Sequence, residues 1–248
     1  MRTLGIIGGM SWVSTAMYYE QINKGVSRKL GGLSSAPLLI ESVDFGKIAR
    51  LQGEGDWGQL SRLLSASAER LERAGAEGLI LACNTMHKLY GDIANAVSIP
   101  VIHIGDVTAA KLAADGVRRA ALIGTRFTMT EPFYRERIEA RDIVVATPDP
   151  GMMSEIDRII HEELARGIVS RVSQRTLKTC LTIMSQARNQ AVILGCTELV
   201  MLVDPLANVI PVYDTTALHA QAAVEFILGE EKSTRQEIPR RVAAQGAS

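Results

Sequence analysis

Two of the three cysteines in this 248-residue chain follow similar apolar stretches. Cys83 comes after Leu-Ile-Leu-Ala and precedes Asn84 and Thr85, whereas Cys196 comes after Val-Ile-Leu-Gly and precedes Thr197. At the carboxyl ends of buried strands, backbone N–H groups and helix N-termini converge, and such a setting lowers the pKa of a cysteine. We therefore expect two reactive thiols. Two thiols on opposite faces of one carbon can remove a proton from one face and return a proton to the other.

The cysteines could instead form a disulfide, bind a metal or be buried as small apolar side chains. An odd number of cysteines and an N-terminus without a signal-peptide pattern predict a reduced, cytoplasmic protein, which disfavours a disulfide. Cys83 and His87 are four residues apart and could bind a metal together with Cys196, but no Cys-x-x-Cys or His-x-x-x-His pair supports a metal site. Cys180, within a helical pattern, is expected to be buried. The histidines are expected at the surface or at helix caps, at positions 87, 103, 161 and 219.

The remaining sequence predicts the elements that must position these residues. Short, continuous apolar runs are typical of parallel strands covered on both faces, and they occur at 3–7, 37–41, 78–82, 101–104, 119–123, 144–146, 191–194 and 209–211. Apolar residues at helical spacing predict helices over 57–74, 154–165, 174–187 and 216–228, the last ending at Gly229. Strands that alternate with helices predict an α/β fold with mainly parallel sheets.

A glycine turn precedes each cysteine motif at a similar distance. Cys83 follows Gly8 by 75 residues, and Cys196 follows Gly124 by 72 residues. This repetition predicts two similar α/β halves, related by an approximate two-fold axis, with the four turns lining one cleft. The first half is expected to comprise 1–102 plus 212–229, and the second half 103–211. The polar segment 230–248 is expected to be a disordered or peripheral tail.

Composition and motifs exclude several classes of function. Lysine plus arginine and aspartate plus glutamate number 27 each, and no basic run occurs, so nothing indicates nucleic-acid binding. No apolar stretch approaches the roughly 20 residues that span a membrane. The segment GIIGGM lacks the G-x-G-x-x-G spacing of a dinucleotide site, and no phosphate-binding P-loop motif occurs. A hydrolase built on Cys, His and Asn would leave the second cysteine unexplained.

Four segments, GIIGGMSW, ACNTMHK, LIGTRFTM and LGCTELV, resemble in this order and spacing the aspartate/glutamate racemase family, and in particular its aspartate racemase-like branch. The resemblance covers about residues 2–229. It implies two flavodoxin-like halves with the active site in the cleft between them, a homodimer, and racemisation of an amino acid, foremost aspartate or glutamate, without pyridoxal phosphate or metal. It implies that Cys83 and Cys196 are the catalytic residues. The substrate contacts that it implies are Met10, Asn84, Thr85, Thr125, Thr128 and Thr197.

Some positions depart from the wider family. Glutamate racemases carry an Asp-Ser-Gly motif near the start and Gly-Cys-Thr-His at the second cysteine, whereas this chain has GGMS at 8–11 and GCTE at 195–198. This departure argues against a dedicated supply of D-glutamate. In relatives, basic residues hold the side-chain carboxylate of the substrate, and the candidates for these positions here are Gln52 and Arg166. Gln52 lies in a loop-like stretch that could close over the cleft. A glutamine in place of a basic residue suggests relaxed specificity. The alternatives are a hydantoin racemase, an arylmalonate decarboxylase-like or maleate isomerase-like enzyme, or a binding protein without catalysis.

Overall fold

The computed structural model describes residues 1–204 and 208–230. Within them, eight strands alternate with helices. The strands are β1 (Leu4–Gly8), β2 (Leu38–Ser42), β3 (Gly78–Leu81), β4 (Val101–Ile102), β5 (Arg119–Gly124), β6 (Val144–Ala146), β7 (Ala191–Gly195) and β8 (Val212–Asp214). The α-helices are α1 (Trp12–Leu30), α2 (Phe45–Glu54), α3 (Trp57–Arg73), α4 (Tyr90–Asn95), α5 (Ile104–Ala114), α6 (Arg126–Thr130), α7 (Pro132–Glu139), α8 (Pro150–Arg158), α9 (Arg171–Gln186) and α10 (Thr215–Leu228).

Shorter helical segments complete the described chain. Three of them are 3₁₀ helices, at Thr85–Leu89, Leu164–Arg166 and Thr197–Met201. A π-helical segment, Ile159–Glu163, continues directly from α8.

The strands form two four-stranded sheets with the same strand order. The first sheet runs β2-β1-β3-β4 and the second runs β6-β5-β7-β8, and every pair of neighbours is parallel. In the centre of each sheet Ile6 lies beside Ile80, and Ile123 beside Leu194. The predicted α/β fold with two similar flavodoxin-like halves is therefore confirmed.

Each sheet carries apolar clusters on both faces. In the first half, residues of α2 and α3 pack on one face and residues of α1 and α10 on the other. In the second half, α8 and α9 cover one face while α5 and α7 cover the other. Cys180 is part of this second core and is fully buried, as predicted. None of the described helices is long and apolar enough to cross a membrane.

The last strand differs from the predicted division of the chain. The strand predicted at 209–211 is wrong in position, because Val209 is 66% exposed and Pro211, which has no N–H group, contributes only its carbonyl oxygen to Val192. The strand is β8, which pairs with β7, so residues 212–214 lie in the second sheet. Helix α10 then packs against α1 and α5. The tail predicted over 230–248 lies, beyond residue 230, outside the described residues.

Two helical segments also differ from expectation. The stretch around Gln52 is not a loop, because Asp44 caps α2 by accepting a hydrogen bond from the Gly46 N–H and the helix continues until Gly55, which adopts the left-handed conformation. The helix predicted over 154–165 begins earlier, at Pro150, with Asp149 as its N-cap. Its predicted end falls in the π-helical and 3₁₀ segments.

Candidate active site

A pocket with an empty volume of about 470 Å³, part of it open to solvent, is lined by both halves. Its floor consists of turns that come after β3, β5 and β7, at the carboxyl ends of parallel strands. Most of the residues singled out in the sequence meet here, and they are Met10, Gln52, Cys83, Asn84, Thr85, Thr125, Cys196 and Thr197.

Two of the predicted contacts do not line the pocket. Thr128 is fully buried behind it, with its hydroxyl 3.1 Å from that of Thr125 and 3.5 Å from that of Thr85. Arg166 is exposed at the end of its 3₁₀ segment, and its neighbour Ala165 faces the pocket instead. Arg166 thus lies outside the pocket lining in the protein without substrate, and its role as a substrate contact stays a prediction.

Hydroxyl and amide groups of the floor connect the two halves. The Thr85 and Thr125 hydroxyls are 2.9 Å apart, and they come after strands of different sheets. Asn84 donates from Nδ2 to the Thr215 hydroxyl at 3.2 Å, which in turn donates to the Leu194 carbonyl at 2.7 Å. These bonds fix the turn after β3 against the end of β7.

Cys83 lies just after β3 and is partly exposed to the pocket. Removal of the thiolate from water raises the pKa of Cys83 to about 11, although N–H groups of Met86 and Thr85 oppose this increase. The expectation of a lowered pKa is therefore wrong for this cysteine without substrate, because desolvation outweighs the strand-end donors.

Cys196 lies directly after β7 and contacts a carboxylate that the sequence patterns do not single out. The Cys196 Sγ donates to Glu198 Oε2 at 3.0 Å, and the Thr197 hydroxyl donates to the same oxygen at 2.7 Å. Burial, followed by the charge of Glu198 and this hydrogen bond, raises the pKa of Cys196 well above its ordinary value. Here too, the expected lowering of the pKa is wrong.

Glu198 is buried and receives its other hydrogen bonds from the first half. The hydroxyls of Ser11 and Ser14, at the start of α1, each donate to Oε1 at 2.7 Å. Ser11 is also the N-cap of α1. The signal in the sequence that marks Glu198 is its place in the GCTE segment, where it replaces the histidine of glutamate racemases.

Three of the four histidines lie behind the Cys83 turn, in contact with one another. His87 and His219 are buried, which contradicts the predicted surface or cap position. His103 is the N-cap of α5, as predicted, and its Nδ1 accepts from the Gly105 N–H at 2.9 Å. The His87 ring centroid is 4.7 Å from that of His103 and 5.7 Å from that of His219. His161 is partly exposed and lines the pocket.

His87 and His219 are held by backbone groups. The Nδ1 atom of His87 is 2.8 Å from the Cys83 carbonyl, and its Nε2 accepts from the Ile104 N–H at 3.2 Å. The Nε2 atom of His219 is 3.0 Å from the Ile102 carbonyl. Burial lowers the pKa of His87 to about 4 and that of His219 to about 3. Both rings are therefore neutral at physiological pH, and they support the site as hydrogen-bonding groups.

No set of three or more histidine, cysteine, aspartate or glutamate side chains in the described residues is arranged to hold a metal ion. The chemistry that the pocket itself offers is proton transfer by two thiols, with threonine hydroxyls, an asparagine amide and strand-end N–H groups available to bind an anion.

Comparison with known proteins identifies the family of this chain. The family model described as Asp/Glu/Hydantoin racemase matches residues 7–223. A curated relative, the broad specificity amino-acid racemase RacX of Bacillus subtilis, is 24% identical over 231 residues, which cover 91% of this chain and 98% of the relative.

Solved structures with the same fold include two with substantial sequence identity. A candidate Asp/Glu racemase from Yersinia pestis is 44% identical with a TM-score of 0.85, and the alignment covers 92% of this chain and 100% of that one. An aspartate racemase homologue from Pyrococcus horikoshii is 31% identical with a TM-score of 0.77, with the same coverage. The family match over most of the chain, together with these relatives, shows that this protein belongs to the Asp/Glu/hydantoin racemase family.

Proposed function

We propose that the protein racemises an amino acid by a two-base mechanism in which Cys83 and Cys196 exchange protons with the α-carbon. The observation that carries this proposal is that both thiols line one pocket, each at the end of the equivalent strand of its own sheet. Relatives named as aspartate, glutamate and broad specificity amino-acid racemases support an amino acid as the substrate. The family makes aspartate and glutamate the first amino acids to test.

The proposed reaction needs one cysteine as thiolate and the other as thiol. The thiolate takes the α-proton and becomes a thiol, and the electron pair of the C–H bond moves into the α-carboxylate to give an enediolate. The opposite thiol then donates its proton to the other face of the carbon and becomes a thiolate. The product therefore has inverted configuration, and the enzyme is left with the two protonation states exchanged, ready for the reverse direction.

Stabilisation of the carbanionic intermediate falls to the donors of the pocket floor. A proton at the α-carbon of an amino acid is only very weakly acidic, so the developing charge on the carboxylate needs preorganised hydrogen bonds. The Asn84 amide, the hydroxyls of Thr85 and Thr125, and nearby N–H groups lie beside the thiols in the pocket lining, and we assign this task to them. This is the proposed reason why polar residues come after both cysteines.

The proposal also includes that catalysis needs neither pyridoxal phosphate nor a metal ion. That the protein forms a homodimer and is located in the cytoplasm stays a prediction. Related carbanion chemistry on hydantoins, arylmalonates or maleate is the second candidate, since the family model itself names hydantoin racemase. A binding protein without catalysis is disfavoured by the paired thiols, for which simple binding has no use.

Proton exchange at the α-carbon tests the proposal. The enzyme is incubated in D₂O with the separate enantiomers of aspartate, glutamate and a panel of neutral amino acids, and loss of the α-proton is followed by ¹H NMR together with optical rotation. We expect deuterium incorporation with inversion. Activity that is unchanged by chelators, in protein without pyridoxal absorbance, is expected for the metal-free and cofactor-free reaction.

Cysteine variants identify the bases. Cys83→Ser and Cys196→Ser should each abolish inversion, and a single variant should at most exchange the α-proton of one enantiomer, because one base still reaches one face. Cys180→Ala, in the core of the second half, is the control. Absence of exchange with every amino acid would refute the racemase, and full racemisation by either serine variant would refute the two-base mechanism.

A further inference from the structure

The pocket lining divides into a reactive floor and a helical wall. The floor carries the two cysteines and their polar neighbours, whereas the wall consists of α2 and the helical segments after α8, through Phe45, Gln52, Ile160, His161 and Ala165. If the α-carbon lies between the thiols, the side chain of the substrate must point to this wall. We propose, on the basis of the proposed racemase function, that the preferred substrates are amino acids with uncharged side chains and that aspartate and glutamate are poor substrates.

The first reason is the absence of a cation. Within the described residues, no lysine or arginine lines the pocket. A carboxylate that leaves water without a charged partner loses hydration that a mostly apolar wall does not replace. The side chain of aspartate or glutamate would therefore be bound less well than an uncharged side chain of similar size.

Two cations of segments that adjoin the pocket lining are held by other partners, and Arg166, next to Ala165, is exposed outside the lining. Lys88 pairs with Glu131 at 2.7 Å and lies 3.8 Å from the centre of the Trp57 ring. Arg158 pairs with Glu155 at 2.7 Å. To reach a substrate carboxylate, either cation would have to break its ion pair.

A cationic side chain of a substrate would also lack an ion-pair partner in the pocket lining. Glu198 is the carboxylate in the lining, and its two oxygens already accept four hydrogen bonds, two on Oε1 and two on Oε2. A carboxylate offers about four lone-pair positions, so these bonds saturate it. We therefore expect lysine and arginine to be poor substrates for the same reason as aspartate, because the charge of the side chain has no partner in the pocket.

The remaining polar groups of the wall suit neutral side chains. His161 has its Nδ1 2.9 Å from the Asp157 carbonyl and 3.5 Å from Asp157 Oδ1, so Asp157 occupies this side of the ring. The Gln52 amide both donates and accepts hydrogen bonds. With Phe45 and Ile160 beside it, this wall matches a side chain such as that of methionine or glutamine.

Substrate selectivity tests the inference. The kcat/KM for racemisation is measured at pH 7.5 with L-methionine, L-glutamine, L-aspartate, L-glutamate and L-lysine. We expect the better neutral amino acid to exceed each charged one by at least about tenfold, the discrimination typical of an unpartnered charge. A charged amino acid that equals or exceeds both neutral ones would overturn the proposal.

A charge introduced into the wall should reverse the preference. Ala165→Lys is expected to raise the ratio of kcat/KM for glutamate to that for methionine by about tenfold or more, because the new ammonium group provides the missing partner. Ala187→Lys, with the same change at an exposed position after α9, should leave the ratio unchanged. Equal ratios in the two lysine variants would count against the proposal, as would a selective loss of glutamate turnover in Arg166→Ala.

Binding separates this inference from the proposed reaction. The Cys83→Ser/Cys196→Ser double variant is titrated calorimetrically with L-methionine and with L-aspartate. Tighter binding of methionine supports the inference, and tighter binding of aspartate refutes it, whether or not the wild-type protein shows α-proton exchange. Absence of exchange would by contrast refute only the racemase function.

Discussion

The Cys196 thiol donates a hydrogen bond to the Glu198 carboxylate, with 3.0 Å between Sγ and Oε2. Because the thiol form donates and the thiolate form is repelled by the same carboxylate, the contact holds the proton on Cys196. The other donors to Glu198 include two hydroxyls of the first half, at 2.7 Å each. The protonation state of a thiol in the second half therefore depends on a carboxylate that hydroxyl groups of the first half hold in place.

Glu198→Gln is expected to lower racemisation by about 10–100-fold, the range of a hydrogen bond to a charged group. A glutamine amide has one oxygen and one NH₂ group, so it cannot accept all four donors. Because the negative charge raises the pKa of Cys196, its removal should also shift the alkaline part of the pH–rate profile to lower pH.

Rate and pH profile are measured together, since a merely structural role would not move the profile. Glu20→Gln, at an exposed position on α1, is the control with the same loss of charge and should behave as wild type. A wild-type rate and profile for Glu198→Gln would show that Glu198 has no part in positioning Cys196.

Alkylation should detect the raised thiol pKa values in the protein without substrate. With a pKa of about 11, the thiolate fraction of Cys83 at pH 7.5 is far below that of a free cysteine, whose pKa is about 8.5. We expect the reaction of Cys83 with iodoacetamide, followed by mass spectrometry, to be at least about tenfold slower than in the urea-unfolded chain. It should accelerate about tenfold per pH unit from about pH 7 to 10. A plateau below pH 8 would contradict the raised pKa.

The buried histidine cluster predicts a loss of stability in mild acid. In the unfolded chain a histidine has a pKa near 6.5, whereas in the fold the pKa of His87 is about 4 and that of His219 about 3. The unfolded state therefore binds more protons, and stability is complete above about pH 6.5 and falls as the pH decreases towards these folded values. At pH 5 each of the two histidines lowers the free energy of unfolding by about 2 kcal/mol.

Urea unfolding between pH 5 and 7.5 measures this slope. In His219→Gln, the free energy of unfolding should depend less on pH in this range than in wild type. His161→Gln, which changes a partly exposed histidine outside the cluster, is the control and should retain the wild-type slope. The histidine cluster would be excluded as the cause if His219→Gln kept the full pH dependence.

The turn after β1 predicts a contrast between two glycines. Gly9 has φ of +87°, and a Cβ there would lie 2.2 Å from the Val43 carbonyl oxygen, so Gly9→Ala should destabilise the fold by more than about 2 kcal/mol. Gly91 is helical in α4 with open space around its Cα, so Gly91→Ala should be neutral or stabilising by up to about 1 kcal/mol. Thermal unfolding of both variants checks the contrast, and a Gly9→Ala protein as stable as wild type would show that Val43 moves away.

The fold is predictable from the sequence because most strands contain a continuous apolar run and the cysteine motifs repeat at similar spacing. The pattern is misleading at Val209–Ile210, since apolar residues before a proline resemble a strand until the pairing of β8 with β7 is known. The glycines around Gln52 likewise favour a loop, although a capped helix tolerates Gly53 within α2.

The site is only partly predictable, because spacing identifies the residues at the end of a strand and not the residues that approach from the other half. Cys83 and Cys196 are recognisable by their position after strands. The hydrogen bonds from Ser11 and Ser14 to Glu198 join residues more than 180 positions apart, which no local pattern indicates. Desolvation of the thiols likewise depends on the assembled pocket, so no sequence pattern indicates that their pKa values are raised.

The late position of helix α10 in the sequence affects how the chain folds during its synthesis. The face of the first sheet that carries Ile6 and Ile80 is covered partly by Phe226 and Ile227, near the end of the described chain. A ribosome that has completed the first four strands has therefore produced a sheet with one side covered by α1 alone. We expect the N-terminal half to stay incompletely folded, and accessible to chaperones, until residue 228 has left the exit tunnel, although every one of its strands was made more than 120 residues earlier.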